Sequence, residues 1–121
     1  MKALVIRPNA YPEMRELPDL KAMQDCVGGY IQAIYPWPDI PAALVCDEDG
    51  LAHDSEWNRY ICEGVAIKGT FFICGLAEED FADLPDDLAD RFQREFREPE
   101  AFIRTAKGVM VINSFGVRAV I

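Results

Sequence analysis

A single histidine and only 12 lysines and arginines stand against 21 aspartates and glutamates, which leaves a net charge of −9 on 121 residues. A chain so poor in bases is badly suited to gripping a phosphate backbone, because that binding rests on Lys and Arg neutralising phosphates. No direct contact with nucleic acid is expected. No apolar run approaches the roughly 18 to 20 residues of a membrane span, so no membrane contact is expected either. Arg7 and Pro8 follow Met1 and Lys2 too closely for a secretory apolar region. The expected location is therefore cytoplasmic. The four cysteines, at 26, 46, 62 and 74, include no C-x-x-C pair, and His53 alone cannot complete a Cys/His zinc set. Cys46, Cys62 and Cys74 each follow an aliphatic residue and read as buried free thiols of a reducing compartment. Phosphate-binding, dinucleotide-binding, serine-elbow and zinc-protease motifs are all missing from the sequence. Neither a metal nor a cofactor is expected, and no catalytic residue is assigned.

Half of the residues are apolar, enough for one real core, and eight glycines with eight prolines exclude a low-complexity chain. Residues 2–7 form a strand signal, ended by Pro8, and 14–17 suit a hairpin partner. Asp19 is placed to cap a helix whose apolar face is Leu20, Met23 and Val27, and Gly28-Gly29 ends it. Strands are expected at 30–35 and 42–46, followed by the turn Asp47-Glu48-Asp49-Gly50. Residues 51–61 lack periodicity and read as a loop. Residues 64–75 give the strongest strand signal, with Gly69 marking a bulge or close backbone approach. One helical turn is expected at 77–82. Asp83 then caps a second helix, with Pro85 in its first turn and Leu84, Leu88, Phe92 and Phe96 as its buried stripe. Short strands at 109–113 and 117–121 close the chain. The fold class is α+β: one small domain over 1–121, a mostly antiparallel sheet with two helices packed on it.

Charge is segregated. Residues 47–56 hold five acids and no base, 76–100 hold ten acids against three arginines, and 101–121 hold three bases and no acid. Asp83, Asp86, Asp87 and Asp90 form either a solvated helix face or a surface for a basic partner. The basic tail could meet them within the chain or on a neighbouring subunit, so a homo-oligomer is open. The turn at 47–50 misses the calcium-loop pattern, since Val45 stands where an acid is needed. Asp54, Glu56 and Glu63 could supply acid and base, and His53 with Cys62 a base and nucleophile, but exposed loop residues explain both sets. Arg59, between Trp57-Asn58 and Tyr60, offers a planar donor fork for a nucleotide-like or carboxylate ligand, with Lys68 and Thr70 completing the pocket. The alternative is that Arg59 ties down its own loop through Asp54 or Glu56.

Six short motifs occur in order: Val27-Gly28-Gly29, Tyr35-Pro36-Trp37-Pro38-Asp39, Leu44-Val45-Cys46-Asp47-Glu48-Asp49-Gly50, Asn58-Arg59, Gly69-Thr70-Phe71-Phe72-Ile73-Cys74-Gly75, and Glu78-Glu79-Asp80-Phe81-Ala82-Asp83-Leu84. In these the chain resembles a family of small uncharacterised domains carried by bacterial phages, plasmids and conjugative elements. The resemblance covers residues 1–100, the family-like core, and leaves 101–121 as a C-terminal extension. Asp47 stands where the family has Asn, and Ser55-Glu56-Trp57 replaces its Leu-Pro segment before Asn-Arg. The resemblance implies an accessory protein of a mobile element and supplies no activity.

The leading expectation is a non-enzymatic binding protein, an anti-defence factor engaging a host protein through the acidic face. The alternatives are sequestration of a nucleotide-type signal around Asn58 and Arg59, and a small hydrolase using loop carboxylates.

Overall fold

The computed structural model describes residues 1–50, 55–78 and 80–120. Five strands, β1 (Lys2–Ile6), β2 (Glu13–Glu16), β3 (Ile31–Ile34), β4 (Ala42–Asp47) and, in this count, β7 (Phe71–Ala77), form an antiparallel sheet in the order β2-β1-β7-β4-β3. A short strand, β8 (Asp80–Ala82), folds back on the end of β7. The three central strands are buried on both faces, which explains why 42–46 and 71–75 read as continuous apolar runs rather than as alternation. On one face Leu4, Ile6, Leu44, Phe71 and Ile73 pack against Leu88, Phe92 and Phe96 of helix α2 (Asp86–Glu95) and its end. On the other face Ala3, Val5, Val45, Phe72 and Cys74 pack against Leu17, which precedes helix α1 (Leu20–Val27), and against Val27 at the end of that helix. The α+β class and the two packed helices are as expected, with one helix on each side.

The caps follow the sequence at α1. Asp19 accepts a hydrogen bond from the Ala22 amide at 2.8 Å, and Gly28, at φ 87°, ends the helix with its N–H on the Gln24 carbonyl. Leu20 departs from expectation, being 53% exposed, because Met23, Cys26 and Val27 turn toward the sheet instead. At α2 the stripe Leu84, Leu88, Phe92 and Phe96 is buried as its spacing predicts. Asp83 does not cap it. Pro85 occupies the N-cap position, and the Asp83 carboxylate instead accepts the Lys2 amide of β1 at 2.7 Å.

Other departures share one cause, irregular backbone that hides periodicity. Within the loop expected at 51–61 lies strand β5 (Trp57–Cys62), paired to β6 (Val65–Lys68) with two register shifts that destroy the two-residue alternation. Residues 51–54 lie outside the described set. The single strand expected at 64–75 is two strands in different sheets, broken at Gly69, whose φ of 74° turns the chain out of the hairpin and into β7. In place of a helical turn at 77–82, the backbone reverses at Glu78, at φ 57°, and β8 pairs to Gly75–Ala77. Gly75 is needed there: a Cβ would stand 2.3 Å from the Asp83 carbonyl oxygen. Cys62 is exposed, unlike Cys46 and Cys74.

The tail adds a strand that periodicity missed. Strands β9 (Ala101–Thr105), β10 (Gly108–Asn113) and β11 (Gly116–Ala119) form an antiparallel meander. Phe102, Val109 and Val111 face the body of the protein, and the opposite face carries Ile103, Met110, Ile112 and Val117 without a charge. Glu100 joins the meander to the hairpin, accepting the Tyr60 amide and the Asn113 side-chain amide, each at 2.6 Å.

Candidate functional site

Arg59 and Asn58 sit adjacent in β5 and are fully buried. Two of the guanidinium nitrogens, Nε and Nη2, donate to the Phe96 carbonyl at 3.2 and 3.0 Å, where α2 ends. Nη2 also reaches the Ala10 carbonyl at 2.7 Å, and Nη1 donates to Asn58 Oδ1 at 2.9 Å and to the Asn58 carbonyl at 3.3 Å. Asn58 in turn donates to the Ile6 and Gly69 carbonyls at 2.9 and 2.8 Å. Burial pulls the Arg59 guanidinium below its ordinary range, against the pull of Glu100 and Glu98. A cation set at the negative end of a helix and ringed by carbonyls is held well by its surroundings. The fork that sequence reading offers to a ligand thus ties β5 to the 8–10 turn and to the end of α2, and Asn58 adds β1. Of the two acids in the alternative reading, Glu56 accepts from Asn9 at 2.7 Å rather than from Arg59, and Asp54 lies outside the described residues.

Trp57 and Lys68 are cross-strand neighbours in the β5–β6 hairpin, with the ammonium 5.2 Å from the indole centroid. The indole stacks on Phe102 of the meander at 5.7 Å. Thr70 is partly buried, between the turn at Gly69 and the start of β7. The structure therefore separates the sequence-derived set: Trp57 and Lys68 together beside the meander, Asn58 and Arg59 inside the body.

Asp83, Asp86, Asp87 and Asp90 are exposed, the middle two in the first turn of α2, where acids complement the helix dipole. Among the described residues none of the four makes an ion pair, while Arg91 is engaged with Glu95 at 3.9 Å. Burial raises the Glu95 carboxyl, opposed by Arg91. Burial likewise raises the thiols of Cys26 and Cys46 and pushes Cys74 up to about 12. Glu63 and Cys62 are exposed at the hairpin tip, and His53 lies outside the described residues. Among the described residues no cluster of three His, Cys, Asp or Glu is placed to hold a metal.

A model of a domain of unknown function, DUF3846, matches residues 1–97. The chain belongs to the DUF3846 family. No curated protein and no solved structure matches it. This agrees with the resemblance to small uncharacterised domains read from the ordered motifs. The DUF3846 match takes in the main sheet, both helices and the β5–β6 hairpin, and stops just before the meander. The Arg59 clamp lies wholly inside the matched region, since its partners run from Ala10 to Phe96. No helix among the described residues is long and apolar enough to cross a membrane.

Proposed function

We propose that this DUF3846 chain is a binding protein that docks a basic protein surface through the outer face of α2. The observation that carries the reading is the row Asp86, Asp87 and Asp90, exposed and without a cation of its own among the described residues. Such a face attracts a basic partner over a Debye length and sets the rate of encounter more than the final affinity. The occupied donors of Arg59 count against the rival reading, in which Asn58 and Arg59 hold a nucleotide. The partner is a host protein with a cationic, nucleic-acid-binding cleft, and the setting is the cytoplasm of a bacterium carrying a phage or mobile element. There the chain serves as an accessory or anti-defence factor.

The test compares the wild type with the triple variant Asp86→Asn, Asp87→Asn, Asp90→Asn as baits in a bacterial lysate. A basic host protein retained by the wild type, released by moderate salt and lost from the triple variant supports the reading. Identical captured sets from the two baits overturn it.

A further inference from the structure

Between the β5–β6 hairpin and the meander lies a cleft of about 320 Å³, lined by Trp57, Gly64, Ala66, Lys68, Arg104, Val109 and Val120. Three observations single it out. First, in a chain with 21 acids, no Asp or Glu among the described residues lines it. Second, it brings together Lys68 and Arg104, two cations from separate sheets, and neither has a carboxylate partner among the described residues. Arg104, although exposed, pairs across the meander with the buried Val109 and so lies on the same face of the sheet. Third, Trp57, one of the lining residues, has a buried Nε1 without an acceptor, the one such side-chain donor among the described residues. Valine and alanine side chains supply the remaining wall, so the cleft is polar at its cations and apolar elsewhere, the usual make-up of a small-molecule site.

We propose that this cleft binds a small phosphate monoester, its dianion held between Lys68 and Arg104 and its organic part against Val109, Val120 and Ala66. Two cations match a dianion better than a single carboxylate, and the guanidinium can engage two phosphate oxygens at once. The volume lies at the lower end of the range for small-molecule pockets, which suits a phosphate ester with one ring rather than a dinucleotide. Arg104 and Val120 come from the tail beyond the family match, so the site depends on the extension and not on the family region alone. It shares no residue with the acidic face of α2 and stands or falls separately from that reading.

The probes are phenyl phosphate, inorganic phosphate, benzoate and a short single-stranded DNA, each titrated into the full chain and followed by proton–nitrogen correlation NMR. The Trp57 indole signal is assigned by its loss in Trp57→Phe. Phenyl phosphate is expected to move the Trp57 signal saturably, more tightly than inorganic phosphate or benzoate. Lys68→Gln and Arg104→Gln should each weaken it about tenfold, as loss of a charge-assisted contact does. Both side chains line an open cleft, so the variants should keep a dispersed spectrum, and Arg104→Lys should recover part of the affinity. No saturable shift with either phosphate probe up to about 10 mM, weaker than any functional site of this kind, overturns the proposal. So does a shift that both glutamine variants leave unchanged, or DNA binding more tightly than every small anion.

Discussion

Arg59 holds the carbonyl of Phe96 with two of its nitrogens, at 3.2 and 3.0 Å, and thereby fastens the hairpin strand to the last turn of α2. The same guanidinium holds Ala10 at 2.7 Å, so three segments far apart in sequence meet on one side chain. Removing it would leave buried carbonyls, and Asn58 Oδ1, without donors. Arg59→Met is expected to destabilise the chain by about 3 kcal/mol, since each bond to a charged group contributes roughly 1.5 to 3 kcal/mol and relaxation recovers part. Arg59→Lys should restore only a fraction, because an ammonium cannot span the same acceptors. Urea unfolding checks both; a midpoint unchanged in Arg59→Met would show that the clamp contributes nothing.

Phe92 fills the space between α2 and the sheet, fully buried, with its ring 4.4 Å from that of Trp37 and stacked on Phe96. Truncation to alanine should cost roughly 3 to 5 kcal/mol, the transfer of the ring plus the cavity it leaves. Thermal melts of Phe92→Ala and of Gln93→Ala, a partly exposed neighbour, give the contrast: a large drop in the first and little change in the second.

Gly75→Ala is expected to harm the fold out of proportion to its size. The added methyl would lie 2.3 Å from a backbone oxygen, that of Asp83, which cannot swing away as a side chain can. The segment 80–84 would have to separate from β7 and from the Lys2 amide that Asp83 accepts. A cost of about 1 to 3 kcal/mol follows from overpacking. Hydrogen exchange should show fast amides at 82–84 in the variant, and retained protection there would refute the account.

The thiols should separate by exposure and by ionisation. Cys62 is exposed, whereas burial pushes Cys74 from 9.0 up to about 12. In native buffer at about pH 8 an alkylating reagent is expected to modify Cys62 first and Cys74 only on unfolding, because the thiolate is the reactive species. The sign of the pH dependence follows from the same shift. Below the unfolded value of 9.0 both states keep the proton and Cys74 favours the fold; above it the unfolded chain releases a proton that the native chain retains. Its contribution therefore falls as pH rises from 9.0 toward about 12, and Cys74→Ala should flatten that alkaline loss in urea titrations.

Much of the fold was legible where packing and backbone regularity coincide. The first strand, the Asp19 and Gly28 caps and the stripe Leu84, Leu88, Phe92 and Phe96 all follow from spacing, because each lies in a regular element with one environment per face. The β5 strand was not legible, since two register shifts put neighbouring residues on unexpected sides and left Asn58 and Arg59 both buried. Nor was β9, where Phe102 and Arg104 mix aromatic and charge on one face. Arg104 left only a faint signal, a base in a tail without acids.

The sequence by itself determined the α+β class, the helix boundaries near Asp19 and Gly28, the buried face of α2 and the segregation of charge. These depend on neighbours within a few residues, whose relative placement a regular backbone already specifies. Only the tertiary structure decided that Arg59 faces inward onto the carbonyls of Phe96 and Ala10, while Lys68 and Arg104 line one cleft. An arginine carries the same fork whether it meets a ligand or its own backbone. Which of these occurs depends on where distant carbonyls are left without donors, and that is fixed by how the sheets and helices pack.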